Sequence, residues 1–190
     1  MIRNRSEYIQ FIAADAEAME VNITSFSSRL KAYLTNPRWR FIRKLRRVEF
    51  YQNASNPLSK LAAKFFWLDY KRFGVRLGFS IPPNVCDKGL SLPHYGTLVI
   101  SKKAKIGKNA RIHICVNIGE SSTGTPSIGD NVYIGPGAKL FGGIVLGNNV
   151  RIGANAVVNK SFEEDNIVLA GVPAKIVKRL NHPTTSVYDI

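Results

Sequence analysis

Between Leu98 and Lys160 the chain repeats itself every six residues. Ile100, Ile106, Ile112 and Ile118 lie six apart, and after an interval of ten Ile128, Ile134, Leu140, Leu146, Ile152 and Val158 resume the spacing. A second series runs two residues ahead: Leu98, Ala104, Ala110 and Val116, then Val132, Ala138, Ile144, Val150 and Ala156. Six of the ten aliphatics are followed directly by glycine, at Gly107, Gly119, Gly129, Gly135, Gly147 and Gly153. A repeat of this kind constrains the fold more than any other feature of the chain.

A helix needs apolar residues at intervals of three and four, and a half-buried strand needs them at every second position. A six-residue unit fits a short extended piece with two inward side chains, followed by a corner. Glycine at the corner is expected to turn the backbone at a φ that is costly for other residues. Three units close a triangular coil of about eighteen residues, and coils stack at strand spacing of about 4.8 Å. Ten units in phase exclude a chance succession of ordinary strands. The spacing predicts a parallel β-helix of hexapeptide repeats, a mainly β fold.

The flanks differ. Residues 6–73 read as helical, and Asn36-Pro37 and Asn56-Pro57 each place an N-cap before a first-turn proline. The chain divides into a helical region over 1–74, a β-helix domain over 75–180 and a tail over 181–190. The helix opening at Pro57 is expected to end near Gly74, and the last coil near Lys160. The stretch NIVLAGVPAKIVKRL is expected to form a strand, a tight turn and a short C-terminal helix.

Formal net charge is +14, from 27 Lys and Arg against 13 Asp and Glu. Such an excess attracts nucleic acid, anionic membranes and phosphorylated ligands alike. Arg38, Arg40, Arg43, Lys44, Arg46 and Arg47 interleave with Trp39, Phe41, Ile42, Leu45 and Val48. This segment, Arg38 to Arg47, reads either as a peripheral membrane contact or as a helix packing its apolar side while its arginines stay solvated, and the second reading is favoured. Nucleic acid is not expected as a partner, because no recognition motif accompanies the charge. No apolar run of membrane-spanning length and no secretory core sequence appear, so a cytoplasmic protein is expected, with contact at the inner membrane face left open. Cys86 and Cys115 have neither disulfide nor metal spacing.

The chain contains three histidines. His94, in LPHYGTLVI at the entrance to the repeat, reads equally as a general base and as a polar corner residue. His113 occupies a position where glycine is usual; it either joins the face carrying the ten-residue interval or merely tolerates the turn. His182 is expected to be exposed and idle. The three give no convincing metal set, and no metal is expected. The ten-residue interval, GESSTGTPS, is expected to project as a loop of the kind that builds sites on rigid scaffolds.

The repeats, HYGTLVI, the loop ahead of PSIGDNVYIGPGAKLFGGIVLGNNVRIGANAVVNKS, and the closing AGVPAKIVKRL resemble the hexapeptide acyltransferases, nearest to serine acetyltransferase and its relatives that O-acetylate bacterial surface polysaccharides. The resemblance covers residues 75–180 strongly and the helical region weakly. It implies a left-handed coil, homotrimers with a further pairing of trimers left open, and a site between subunits where acetyl-CoA lies along the coils. His94 falls on the catalytic histidine, and His113 is a candidate second polar group. Pro136, Gly137, Ala154, Asn159 and Lys160 fall on cofactor contacts, with Lys175 and Lys178 toward the phosphates. In the projecting loop Gly124 and Thr125 stand where serine acetyltransferases carry an Arg-His pair, and Pro93 replaces the aspartate before the histidine.

These departures remove the expected partner for an amino-acid carboxylate. The leading expectation is therefore an acetyl-CoA-dependent O-acetyltransferase acting on a glycan or lipid-linked glycan hydroxyl. Serine O-acetyltransferase is the alternative, and a non-catalytic trimeric β-helix module the third reading.

Overall fold

The computed structural model describes residues 1–181; His182 and the rest of the tail lie outside the described residues. Four helices come first: α1 (Arg5–Ala18), α2 (Phe26–Thr35), α3 (Pro37–Asn53) and α4 (Pro57–Leu77). The Asn36 and Asn56 side chains accept the backbone N–H groups of Trp39 and Ser59, so both Asn-Pro pairs act as caps. Helix α4 runs three residues past Gly74 and ends at Gly78, whose φ of 77° supplies a left-handed cap. Gly74 lies inside the helix because its surface meets β1: a Cβ there would come within 2.8 Å of the Phe79 carbonyl oxygen.

Thirteen short strands follow: β1 (Phe79–Ser80), β2 (Leu98–Ile100), β3 (Lys105–Ile106), β4 (Arg111–Ile112), β5 (Val116–Gly119), β6 (Ser127–Ile128), β7 (Tyr133–Ile134), β8 (Lys139–Phe141), β9 (Val145–Leu146), β10 (Arg151–Ile152), β11 (Val157–Val158), β12 (Ile167–Gly171) and β13 (Ala174–Arg179). They form three sheets, ordered β1-β2-β5-β8-β11, β3-β6-β9 and β4-β7-β10-β12-β13. Every pairing is parallel except β12 with β13. The result is a parallel β-solenoid of about five turns with a helical region ahead of it.

The register explains the sequence repeat. Ile100, Ile118, Leu140 and Val158 stack on one face. Ile106, Ile128 and Leu146 stack on the second, and Ile112, Ile134, Ile152 and Leu169 on the third. All these side chains are buried. The solenoid continues beyond Lys160: Phe162 bridges to Leu146, and β12 adds a rung below β10.

Two expectations are corrected. The segment after Gly171 is a strand, β13, antiparallel to β12, rather than a short helix. Six residues with β-branched Ile176 and Val177 are too few to nucleate a helix, while β12 offers an unpaired edge. The glycines after the aliphatics do not serve a left-handed turn either. That conformation belongs to Asn109, Cys115, Asn131, Asn149 and Asn155, and to Gly137. Gly107, Gly129, Gly135 and Gly147 are required by contact between coils instead: a Cβ on Gly129 would lie 2.5 Å from the Gly147 carbonyl oxygen, and one on Gly135 would lie 2.7 Å from that of Ile152.

A buried ionic knot joins the helices to the first coil. Arg46 pairs with Asp15 at 2.8 Å and Glu49 at 2.9 Å, and donates to the carbonyls of Cys86 and Asp87. Asp15 in turn accepts the N–H groups of Gly89 and Leu90. Burial works against the charge on Arg46, but Glu49 and Asp15 outweigh it and raise its pKa. The other cations of α3 are also engaged inside the molecule. Arg40 donates to the carbonyls of Tyr33 and Leu34, Lys44 pairs with Asp69, and Arg43 and Arg47 lie over Trp39 and Phe66. The segment Arg38–Arg47 packs Trp39, Phe41, Ile42 and Leu45 inward, but its arginines do not all stay solvated as expected: Arg46 is fully buried because Asp15 and Glu49 pair with it.

Candidate active site

The triangular section gives the solenoid three edges, and two of them carry every candidate residue on the coils. The first edge follows β4, β7 and β10. Along it stand His113, then Gly135, Pro136 and Gly137, then Gly153, Ala154 and Asn155, in the register Ile112, Ile134, Ile152. His94 joins this edge from the coil above, on the turn leading into β2. Its ring centroid is 5.9 Å from that of His113, which meets the Tyr133 ring edge-on at 5.1 Å. Burial, then the charge of Arg111 and the neighbouring His94, lower the pKa of His113 below the ordinary histidine value. At neutral pH its ring is therefore uncharged.

Local chemistry holds the His94 turn in place. Gly96 adopts a φ of 149°, and its N–H donates to the Leu77 carbonyl at 2.9 Å. A Cβ on Gly78 would come within 2.8 Å of Gly96, so the two glycines permit the end of α4 to seat against the turn. From the other side the Arg38 guanidinium donates to the Pro93 carbonyl. The α2–α3 junction and this turn border an open depression of about 430 Å³, lined by Thr35, Asn36, Arg38, His94 and Tyr95 among others. The contribution of Arg38 was not visible in the sequence, because 55 residues separate it from its partner. Arg111, two residues before His113, extends toward Ser91 and leaves its buried Nε without a hydrogen-bond partner.

The second edge follows β5, β8 and β11. It carries the ten-residue interval with Gly124 and Thr125, then Gly142 and Gly143, then Asn159 and Lys160. The loop does not project freely. Ser121 and Gly124 pair across a tight hairpin, Thr125 donates to the Lys103 carbonyl, and the Thr123 hydroxyl accepts the Gly143 N–H at 3.0 Å. Gly143 is needed there, since a Cβ would lie 2.3 Å from the Thr123 carbonyl oxygen. His113 therefore does not share a face with this loop. The corner between β4 and β5 carries the histidine, and the loop occupies the next corner.

Within one protomer the candidates fall into two sets: His94, His113, Pro136, Gly137 and Ala154 on the first edge, and Gly124, Thr125, Asn159 and Lys160 on the second. The Asn155 N–H donates to the Pro136 carbonyl at 2.9 Å, joining these two turns of the edge. Lys175 and Lys178, both exposed on β13, pair in register with Ala170 and Val168. Ala170 packs 3.4 Å from where a Gly153 Cβ would stand, so Lys175 continues the line of small residues on the first edge. Lys160 is exposed, with its ammonium over the Phe162 ring. Among the described residues no group of three or more His, Cys, Asp or Glu is placed to hold a metal ion. Nor is any helix among them long and apolar enough to cross a membrane.

A stacked solenoid with glycine-dependent coil contacts and a histidine pair on one edge defines a class. Residues 125–160 match the model of the bacterial transferase hexapeptide (six repeats). Over its coils the chain carries hexapeptide repeats and is similar to the serine acetyltransferases. The serine acetyltransferase of Staphylococcus aureus is 39% identical over 107 residues, which are 54% of this chain and 50% of that protein. The chain thus spans about half the length of the curated relatives it matches. Among solved structures, a serine O-acetyltransferase from Brucella melitensis superposes with a TM-score of 0.73 at 26% identity, covering 92% of this chain and 69% of that one. A serine acetyltransferase from Brucella abortus in complex with coenzyme A gives 0.71 at 25% identity, covering 93% and 70%.

Proposed function

We propose that this protein is an acetyl-CoA-dependent O-acetyltransferase of the serine acetyltransferase type, with His94 as general base. His94 would take the proton of the acceptor hydroxyl as its oxygen attacks the thioester carbonyl. The carbon–oxygen bond forms, the carbon–sulfur bond breaks, and the proton passes from His94 to the departing CoA thiolate. His113, uncharged, is available to orient His94 or the acceptor through a hydrogen bond. The small residues Pro136, Gly137 and Ala154 leave room beside the first edge for the pantetheine arm. Lys160, Lys175 and Lys178 suit the CoA phosphates as point charges.

The observation that carries the serine-type reading is the depression shared by His94 and Arg38. A base and a guanidinium lining one depression suit a substrate bearing both a hydroxyl and a carboxylate. Arg38, which also donates to the Pro93 carbonyl, would be the carboxylate partner that the loop around Gly124 and Thr125 lacks, and the similarities to serine acetyltransferases support that reading. A glycan hydroxyl is the second reading, favoured by Pro93 and by the absence of an arginine from that loop. Homotrimers fit the reading, because two neighbouring protomers can bring the first edge of one against the second edge of the next. The deciding experiment is thiol release from acetyl-CoA with L-serine and with sugar acceptors in parallel. Release with serine, and a raised KM for serine in R38Q, are expected. Release with sugars alone would transfer the assignment to the glycan reading, and no turnover with either would remove the enzymatic one.

A further inference from the structure

Helix α4 is apolar on two opposite sides. Its inner side, with Ala63, Tyr70 and Gly74, packs on α3 and on β1. The outer side carries Leu58, Leu61, Phe65, Leu68 and Val75, each between 50% and 79% exposed. Intervals of three, four, three and seven put these five on one stripe of the helix. Five large apolar side chains in contact with water exceed the scattered exposure normal for a surface.

The charges beside this stripe are of one sign. Lys60, Lys64, Lys71, Arg72 and Arg76 are all exposed. Helical spacing sets Lys60, Lys64 and Lys71 in a row along one border, and Arg72 within the stripe itself. Asp69 is the helix's single acidic residue and is already tied to Lys44. Between α3 and α4 the surface also opens into a groove of about 510 Å³, lined by Val48, Ala63, Trp67 and Leu68 together with Lys60 and Lys64.

Charge selects the occupant. A second copy of α4 would set five cations against five and bury Arg72 at the seam. A nucleic acid would satisfy the cations and leave the leucines and Phe65 in water. We propose that the outer face of α4 docks on an anionic lipid bilayer, independently of the catalytic reading. Leu58, Leu61, Phe65, Leu68 and Val75 enter the boundary between headgroups and acyl chains. The lysines keep their stems on the apolar surface and their ammonium groups among the lipid phosphates.

Flotation of the full chain with vesicles tests this. Binding is expected to vesicles of phosphatidylcholine mixed with phosphatidylglycerol, not to phosphatidylcholine alone, and should weaken as salt rises. Replacing the lysine row (K60Q, K64Q, K71Q together) should weaken binding about a hundredfold. L61E with F65E should abolish it, with the helical circular-dichroism signal and thiol release unchanged; if that pair unfolds the chain, the lysine variant decides. Failure of the unaltered protein to float with anionic vesicles overturns the proposal, as does equal binding by the lysine variant. A soluble assembly that L61E/F65E splits, with no vesicle binding by the parent, would assign the face to a second copy instead.

Discussion

General-base transfer contributes roughly a hundred- to ten-thousandfold to a rate, so H94A should lower kcat by that order. The same change should leave CoA affinity nearly intact, because the residues proposed for CoA lie on later coils than His94; titration calorimetry beside steady-state thiol release checks both. Equal turnover would remove His94 from the chemistry. His113 makes a different expectation, about stability. Its pKa is lowered in the folded protein by burial, by Arg111 and by His94, so near the ordinary value of about 6.5 the unfolded chain binds more protons than the folded one. The stability tied to its neutral form is present above that pH and falls away as pH drops toward the folded value. Melting temperatures of the parent and of H113N, followed from neutral to mildly acidic pH, should show a shallower acid decline in the variant. Parallel curves would mean that another group controls it. His94 and His113 were both legible as candidates in the sequence, one by motif and one as an exception to the glycine rule. Their meeting was not, since it depends on stacking residues nineteen apart at one corner.

Coil stacking sets what each element tolerates. At Gly129 an added Cβ would lie 2.5 Å from a backbone oxygen of the next coil, and that coil cannot withdraw without breaking its ladder. At Gly153 the nearest atom is the Ala170 side chain, 3.4 Å away, which is ordinary contact. G129A should therefore destabilise the protein by about 1–3 kcal/mol through overpacking, and G153A by much less. Thermal unfolding of the two variants tests this, and equal losses would contradict the assignment of these glycines to coil contact. The distinction also marks what periodicity can convey. The aliphatic columns were readable because a buried face must recur once per unit whatever the detailed turn. The reason for the glycines was not, because left-handed turning and close approach select the same residue, and only the observed φ values assign the turn to the asparagines. The strand β13 escaped for a related reason. Lys175, Lys178 and Arg179 with Ile176 and Val177 suit a basic helix as well as a strand, and the open edge of β12 decides between them.

At the scale of the whole molecule, the candidates divide between two edges of one protomer. The first edge holds the histidines, and the second holds Asn159 and Lys160 across the β11 face. If the working site lies between protomers, damage to one edge should be complemented by an intact copy of it on a neighbour. H94A spoils the first edge and spares the second. K160E spoils the second, where it should weaken CoA capture, and spares the first. Trimers assembled from equal amounts of the two chains, by co-expression or by refolding together, would contain some sites with His94 from one protomer and Lys160 from the next. For random assembly into a closed ring with head-to-tail contacts, about a quarter of the sites should be intact. Thiol release at limiting acetyl-CoA should then approach that fraction of the parent rate, well above either variant alone. If His94 and Lys160 worked within one protomer, every site would carry one lesion and mixing would restore nothing. Sedimentation of the mixed sample shows whether mixed trimers formed, so an absence of complementation in confirmed mixed trimers would confine the site to a single chain.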